Sequence, residues 1–288
     1  MKEGDTMKLM DCHTHTQFSF DSDAPIHDCI MRAERLGLKA FAITDHCECN
    51  WWYPREHYGE EPQSEDFDFA LDYEDSVSEV DFIKGSYSGR TELICGIEMG
   101  QGHHAPEAAA KIAADKRLDF IIGSLHQIRG EWDFYYIDYS KYSEGDIYDL
   151  LERYFREIYE MCTKVDFDVL AHLTYCLRYM KQRNGIEPDI SRFDDIIAES
   201  FRSLAQNGRG IEINTSGLRQ GFGDCFPSLK YVKMFRDMGG EILSIGSDAH
   251  NAADIGANIS EGLETARAAG FRRVAYFKER RPIFIDIT

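Results

Sequence analysis

Five short apolar runs in this 288-residue chain each lead into histidine or acid. Leu9-Met10-Asp11-Cys12 precedes His13-Thr14-His15, and Ala40-Phe41-Ala42-Ile43 precedes Thr44-Asp45-His46. Phe120-Ile121-Ile122 leads to His126, Asp168-Val169-Leu170-Ala171 to His172, and Leu243-Ser244-Ile245-Gly246 to Asp248 and His250. Imidazole and carboxylate are the ligands of Zn, Mn and Fe. In a strand, side chains repeat with period two, so His13 and His15 share a face, as do Asp248 and His250. A lone histidine at a strand end is more often a hydrogen-bonded structural residue. Six of the ten histidines at the ends of successive runs, with Asp21, Glu98 and Asp248 among them, are harder to explain that way. Clustering them without a cation would be costly in desolvation. The pattern is that of a multi-metal enzyme.

The elements between these runs must carry the ligands to one place. Strands are expected near 8–12, 40–44, 93–98, 119–123, 168–172, 210–214 and 242–246. Helical spacing marks 25–37, 105–116, 145–164, 190–207, 228–238 and 260–269, several of them stopped by glycine. Alternating strand and helix implies parallel pairing with right-handed crossovers. Seven such units suggest a closed or distorted barrel with its ligands at the C-terminal strand ends. Two insertions, 47–66 and 128–142, are rich in aromatic and charged residues. Both follow ligand-bearing strand ends, so both should overhang the site. The tail 272–288 is expected as a C-terminal extension of two short strands packed outside. No linker divides residues 1–288, which read as one domain after a ragged tail at 1–6.

Composition narrows the function. The net charge of −19 argues against a nucleic-acid partner, which needs lysine and arginine patches. It permits an anionic substrate, because bound divalent cations invert the local field. No apolar stretch approaches the ~20 residues of a membrane span, and the start of the chain has no signal-like apolar region, so a cytoplasmic location is expected. The eight cysteines form no CxxC pair, and a disulfide framework is not expected. Cys47 and Cys49 follow His46 and could touch a metal, although buried cysteine usually acts as a small hydrophobe.

HTHTQFSFDSD at 13–23, TDH at 44–46, GIE at 96–98, GSLH at 123–126, AHL at 171–173, EINTSGLR at 212–219 and GSDAH at 246–250 resemble the motifs of the polymerase and histidinol phosphatase (PHP) superfamily. They occur in family order over nearly the whole chain. GSLH, AHLTYCLRY and NTSGLR are most similar to the histidinol-phosphate phosphatase branch. The resemblance implies a distorted seven-stranded (β/α)7 barrel and three divalent metal ions, Zn, Mn or Fe. By motif, it implies that His13, His15, Glu98 and Asp248 hold one metal. Glu98, His126 and His172 would hold a second, and Asp21, His46 and His250 a third. Asp21 departs from members that use histidine there, and a carboxylate favours harder ions such as Mn or Fe. Asp23 is a rival that spacing disfavours.

The reaction implied is hydrolysis of a phosphomonoester, L-histidinol phosphate, in histidine biosynthesis. The alternative is a small nucleotide or another phosphorylated metabolite. Metal coordination lowers the pKa of water toward ~7. Glu98, Asp248 and His250 are expected to be catalytic, with Asp248 a candidate acid for the leaving group. Arg178, Arg219 and Ser19 are expected to bind the substrate, guanidinium being suited to phosphate. Trp51, Tyr53, Glu56 and Glu60 in the first insertion could recognise the cationic leaving group. His103 and His104 read as peripheral. The partner is a small phosphorylated metabolite, with no membrane, and the oligomeric state is open.

Overall fold

A computed structural model describes residues 10–53, 55–57 and 68–288. Its strands are β1 (Met10–Asp11), β2 (Ala40–Ile43), β3 (His46–Glu48), β4 (Glu92–Gly100), β5 (Phe120–Ser124), β6 (Val169–Leu170), β7 (Gly210–Asn214), β8 (Leu243–Gly246), β9 (Arg273–Lys278) and β10 (Arg281–Asp286). Seven strands lie in the order β1-β2-β4-β5-β6-β7-β8, each parallel to its neighbours. The ends of the sheet meet. Cys12 N donates to Ile245 O (3.0 Å), Asp248 N to His13 O (2.8 Å) and His15 N to Ala249 O (2.9 Å). The result is a nearly closed α/β barrel, as expected.

The apolar runs become strands because both of their faces are covered. Phe41, Ile43, Ile97, Ile121, Ile213 and Ile245 are fully buried, and each such side chain contributes about 1.5–3 kcal/mol by leaving water. Six expected helices appear within a few residues of their predicted bounds. Ile26–Leu36 stops at Gly37, whose φ of 66° is the left-handed conformation glycine accepts without penalty. Glu144–Lys164 starts at a capping box made by Ser143 and Asp146. Three α-helices had no sequence expectation, Phe69–Ser86, Cys176–Asn184 and the short Ser216–Arg219. In the first, Phe69, Tyr73, Val77 and Val80 form a narrow buried stripe among many acids.

β3 was also unforeseen. β4 is nine residues long and outruns β2, so His46–Glu48 pairs with its upper half, His46 opposite Glu98. At the other end of the barrel, β9 and β10 form the antiparallel pair expected of the tail. Phe277 stacks on Phe120 at 4.7 Å. Arg280 N donates to Asp119 O (2.9 Å), and Arg280 Nε to Asp168 Oδ2 (2.6 Å). Asp119 and Asp168 precede β5 and β6, so this hairpin lies across the N-terminal ends of the strands.

One glycine shows how tightly the upper barrel is packed. A Cβ on Gly246 would sit 2.3 Å from His13 Cβ and 2.6 Å from Glu212 Oε1. Gly246→Ala must therefore push β8 away from His13. Overpacking of this kind costs about 1–3 kcal/mol. Chemical denaturation in the presence of chelator should show that loss, and metal titration should show weakened binding.

Candidate metal centre

The barrel delivers the predicted side chains to its C-terminal end. His13 and His15 follow β1, His46 opens β3, and Glu98 lies within β4. His126 and His172 each stand two residues past their strands, and Asp248 and His250 two and four residues past β8. Glu98 is the hub. Its Oε2 lies 3.2 Å from His13 Nε2, 3.5 Å from His15 Nε2 and 3.0 Å from His46 Nδ1. Its Oε1 lies 2.8 Å from His172 Nε2 and 3.1 Å from His126 Nε2. Asp248 Oδ1 is 3.4 Å from His15 Nε2, and Asp21 Oδ2 is 3.1 Å from His250 Nε2. Asp21 Oδ1 is also 3.6 Å from His46 Nε2. All nine expected positions thus stand in one constellation.

The donor atoms fit metal ions. His13 Nε2, His15 Nε2, His46 Nδ1 and Glu98 Oε2 are buried without a hydrogen-bond partner. An unpaired buried polar atom is costly, and four at one point call for a cation. The second ring nitrogens explain why lone pairs face inward. His13 Nδ1 donates to Glu212 Oε1 (2.7 Å), and His126 Nδ1 to Glu48 Oε1 (2.9 Å). A carboxylate only accepts, so the proton sits on Nδ1 and Nε2 is left as a ligand. His15 Nδ1 is 3.0 Å from Ser19 Oγ, whose own proton goes to Asp45 Oδ1 (2.7 Å). Asp45 also accepts from Thr16 N, Thr16 Oγ1 and Ser76 Oγ.

The carboxylates and His15 titrate as ligands would, whereas neighbouring carboxylates raise His13, His46 and His126 despite their burial, so a bound cation would displace protons there. Burial opposes ionisation of Glu98, but His13, His126 and His46 hold its carboxyl well below the usual range. Asp248 is held low in the same manner, chiefly by His13, His15 and His250. Burial, with His250 and His46 nearby, lowers His15 to about 3 and keeps it a neutral ligand.

Above this floor lies a cavity of ≈ 380 Å³. Its walls include Phe20, Asp133, Tyr135, Tyr136, Tyr175, Arg178, Tyr179 and Gln220, together with Asp21, Glu98, His126, His172, Asp248 and His250. Arg178 therefore faces the site. Its guanidinium contacts Gln220 and the Tyr179 hydroxyl and lies over the Tyr175 and Tyr179 rings, while its buried Nε has no partner. Arg219 and Ser19 are placed elsewhere. Arg219 donates to Ser247 O and Asp248 O (both 3.2 Å) and pairs with Asp254 (3.1 Å). It ties down the backbone at Asp248, whose φ is 55°. Ser19 is buried beneath His15 and His46.

The first insertion does not supply the cavity wall among the described residues. Trp51 is buried, with Nε1 toward Gln127 Oε1 (3.3 Å), Tyr53 meets Lys111, and Glu56 is exposed. Glu60 lies outside the described residues. Outside the expected ligand set, the acid in the cavity wall is Asp133, from the second insertion, and burial raises its pKa to about 6 against the opposing pull of His126. Cys47 and Cys49 are buried thiols and belong to no ligand group among the described residues. Asp23 is exposed. Glu212, Glu48, Asp45 and Asp133 had no predicted role. The available signal was an acid inside an apolar strand, as in Gly210-Ile211-Glu212-Ile213.

The comparisons with known proteins agree with this geometry. The PHP domain family matches residues 11–216, and the chain belongs to that family. A probable histidinol-phosphatase of Clostridium acetobutylicum is 28% identical, covering 94% of this chain and 98% of its own. One of Thermotoga maritima is 28% identical, covering 93% of this chain and 95% of its own. A crystal structure of histidinol phosphate phosphatase from Lactococcus lactis, complexed with Zn, L-histidinol and phosphate, superposes with a TM-score of 0.78. It is 22% identical, covers 96% of this chain and 99% of its own, and shares the fold. No helix among the described residues is long and apolar enough to cross a membrane.

Two measurements check the supporting carboxylates. Glu212→Gln should lower metal affinity by about 10- to 100-fold with the fold retained, read by competition with a chelating dye. Away from the centre, His103 Nε2 (2.9 Å) and His104 Nε2 (2.6 Å) both bond Glu157 Oε2. Burial lowers His103 to about 4, and despite burial these histidines hold Glu157 at about 2. Both groups bind protons less tightly folded than unfolded, so their stabilisation is full above pH 6.5 and fades as pH falls toward 2. Glu157→Gln should cost about 2 kcal/mol at pH 7, and the difference from the parent protein should shrink on acidification, read by thermal melts across pH.

Proposed function

We propose that the chain is a metal-dependent phosphomonoesterase that converts L-histidinol phosphate to L-histidinol and phosphate. The carrying observation is the set of unpartnered buried lone pairs beneath a cavity that also holds a guanidinium with an unpartnered Nε. The family motifs and the names of full-length relatives support the choice of substrate.

In this reading His13, His15, Glu98 and Asp248 hold one cation. Glu98, His126 and His172 hold a second, and Asp21, His46 and His250 a third. Such cations, when bound, lower the pKa of water toward ~7 and neutralise phosphate oxygens. The other residues bind and orient. Arg178, raised in pKa by the neighbouring Tyr179, Tyr175 and Asp248 despite its burial, is a fixed positive charge for the phosphate. Its contacts to Gln220 and the tyrosine rings hold it ready, so little order is lost on binding. Glu212 and Glu48 keep the imidazole tautomers, and Arg219 keeps Asp248 in its left-handed turn. Asp248 reaches both the cavity and the ligand cluster and is held ionised, which suits it to take up the proton released by the attacking water and pass it to the leaving alkoxide.

Phosphate release from histidinol phosphate, measured beside a panel of nucleoside monophosphates, tests the substrate. The expected result is a clear preference for histidinol phosphate, and faster turnover of any nucleotide would overturn it. Elemental analysis should return three divalent ions per chain, and exhaustive chelation should abolish turnover until metal is restored. Arg178→Ala should lower kcat/KM by about 10²- to 10³-fold, the usual effect of removing one oxyanion donor.

A further inference from the structure

We infer that Asp133 is the specificity residue of the cavity, a carboxylate that binds the positive charge on the leaving group of a phosphomonoester. This rests on the phosphomonoesterase reading above and adds what the site selects for.

Asp133 lines the same cavity as Arg178 and the ligand cluster. It belongs to none of the potential ligand groups among the described residues. Its Oδ1 accepts one hydrogen bond, from Tyr135 N (2.7 Å). Among the described residues no lysine, arginine or histidine forms an ion pair with it. A carboxylate in a cavity wall ordinarily has a cationic partner. Arg178, in the same wall, instead contacts Gln220 and Tyr179. The missing partner is therefore sought in the ligand.

The surroundings suit a cation. Tyr135 and Tyr136 flank the same stretch of wall, their rings edge to face at 5.0 Å. Aromatic faces attract ammonium and imidazolium groups, and add to the pull of a carboxylate. The cavity thus carries both kinds of group, metal ligands and Arg178 that suit a phosphate and Asp133 with the tyrosines that suit a cation. A small phosphate ester bearing an amine answers both, whereas a neutral or anionic leaving group answers only one.

Asp133→Asn tests the charge alone, because the amide oxygen can still accept from Tyr135 N and hold the loop. The readout is the ratio of kcat/KM for histidinol phosphate to that for propyl phosphate, which lacks the charge. The ratio should fall about 100-fold, the scale of removing one partner from a buried charge pair. A ratio within threefold of the parent enzyme overturns the assignment, including the case where both substrates decline together. Calorimetric binding of histidinol without phosphate gives a second readout, with affinity expected to fall by a similar factor and an unchanged affinity counting against the assignment. If the parent enzyme ignores histidinol phosphate, the substrate proposal fails by itself. Asp133 is then judged on phosphoethanolamine against propyl phosphate, which differ by ammonium for methyl.

Discussion

The structure depends on one constraint, that buried lone pairs aimed at a common point must be answered by positive charge. Glu98 lies at the centre with imidazole nitrogens within 2.8 to 3.5 Å of its two oxygens. Such a cluster opposes folding in proportion to its desolvation unless cations occupy it. The barrel tolerates this because its strands are otherwise largely apolar and closely packed, and the buried acids among them are hydrogen-bonded. Metal binding and completion of the upper barrel are therefore linked, since ligands from β1, β4 and the ends of β5, β6 and β8 meet only when the sheet closes.

Around the ligands a second set of acids does the orienting. Glu212 fixes His13 and also accepts from His172 N (3.1 Å). Glu48 fixes His126, and Gln101 links the two by accepting from His126 N (2.9 Å) and donating to Glu48. Asp11 bonds Ser247 N (2.8 Å), Ser247 Oγ (2.5 Å) and Gly256 N (2.8 Å), anchoring the segment that carries Asp248. β7, which supplies no metal-facing side chain, supplies the acid that turns His13. Carboxylates behind histidines make the ligands more basic and fix their rings.

Much of this was legible in the sequence. The seven expected strands became the seven barrel strands, and the nine ligand candidates stand together, because spacing and strand period constrain both. What escaped depended on tertiary partners. β3 exists only because β4 outruns β2. Glu48 and Glu212 looked like any acid near a strand until their distances to His126 and His13 were known. Arg219 and Arg178 were both nominated for phosphate on their position after strand ends. Their roles diverge because Asp254 and two carbonyls engage Arg219, whereas tyrosine rings prop Arg178 toward the cavity. The one insertion acid in the cavity wall among the described residues, Asp133, comes from the second insertion, not the first, a choice that loop composition alone could not make.

The hairpin of β9 and β10 has a consequence for traffic. With Phe277 and Arg280 lying over the strand starts, the N-terminal end of the barrel is covered, and the cavity lies on the C-terminal side where the ligands stand. On the phosphomonoesterase reading proposed above, ester and both products would share that side, so phosphate held at the floor would compete directly with incoming ester.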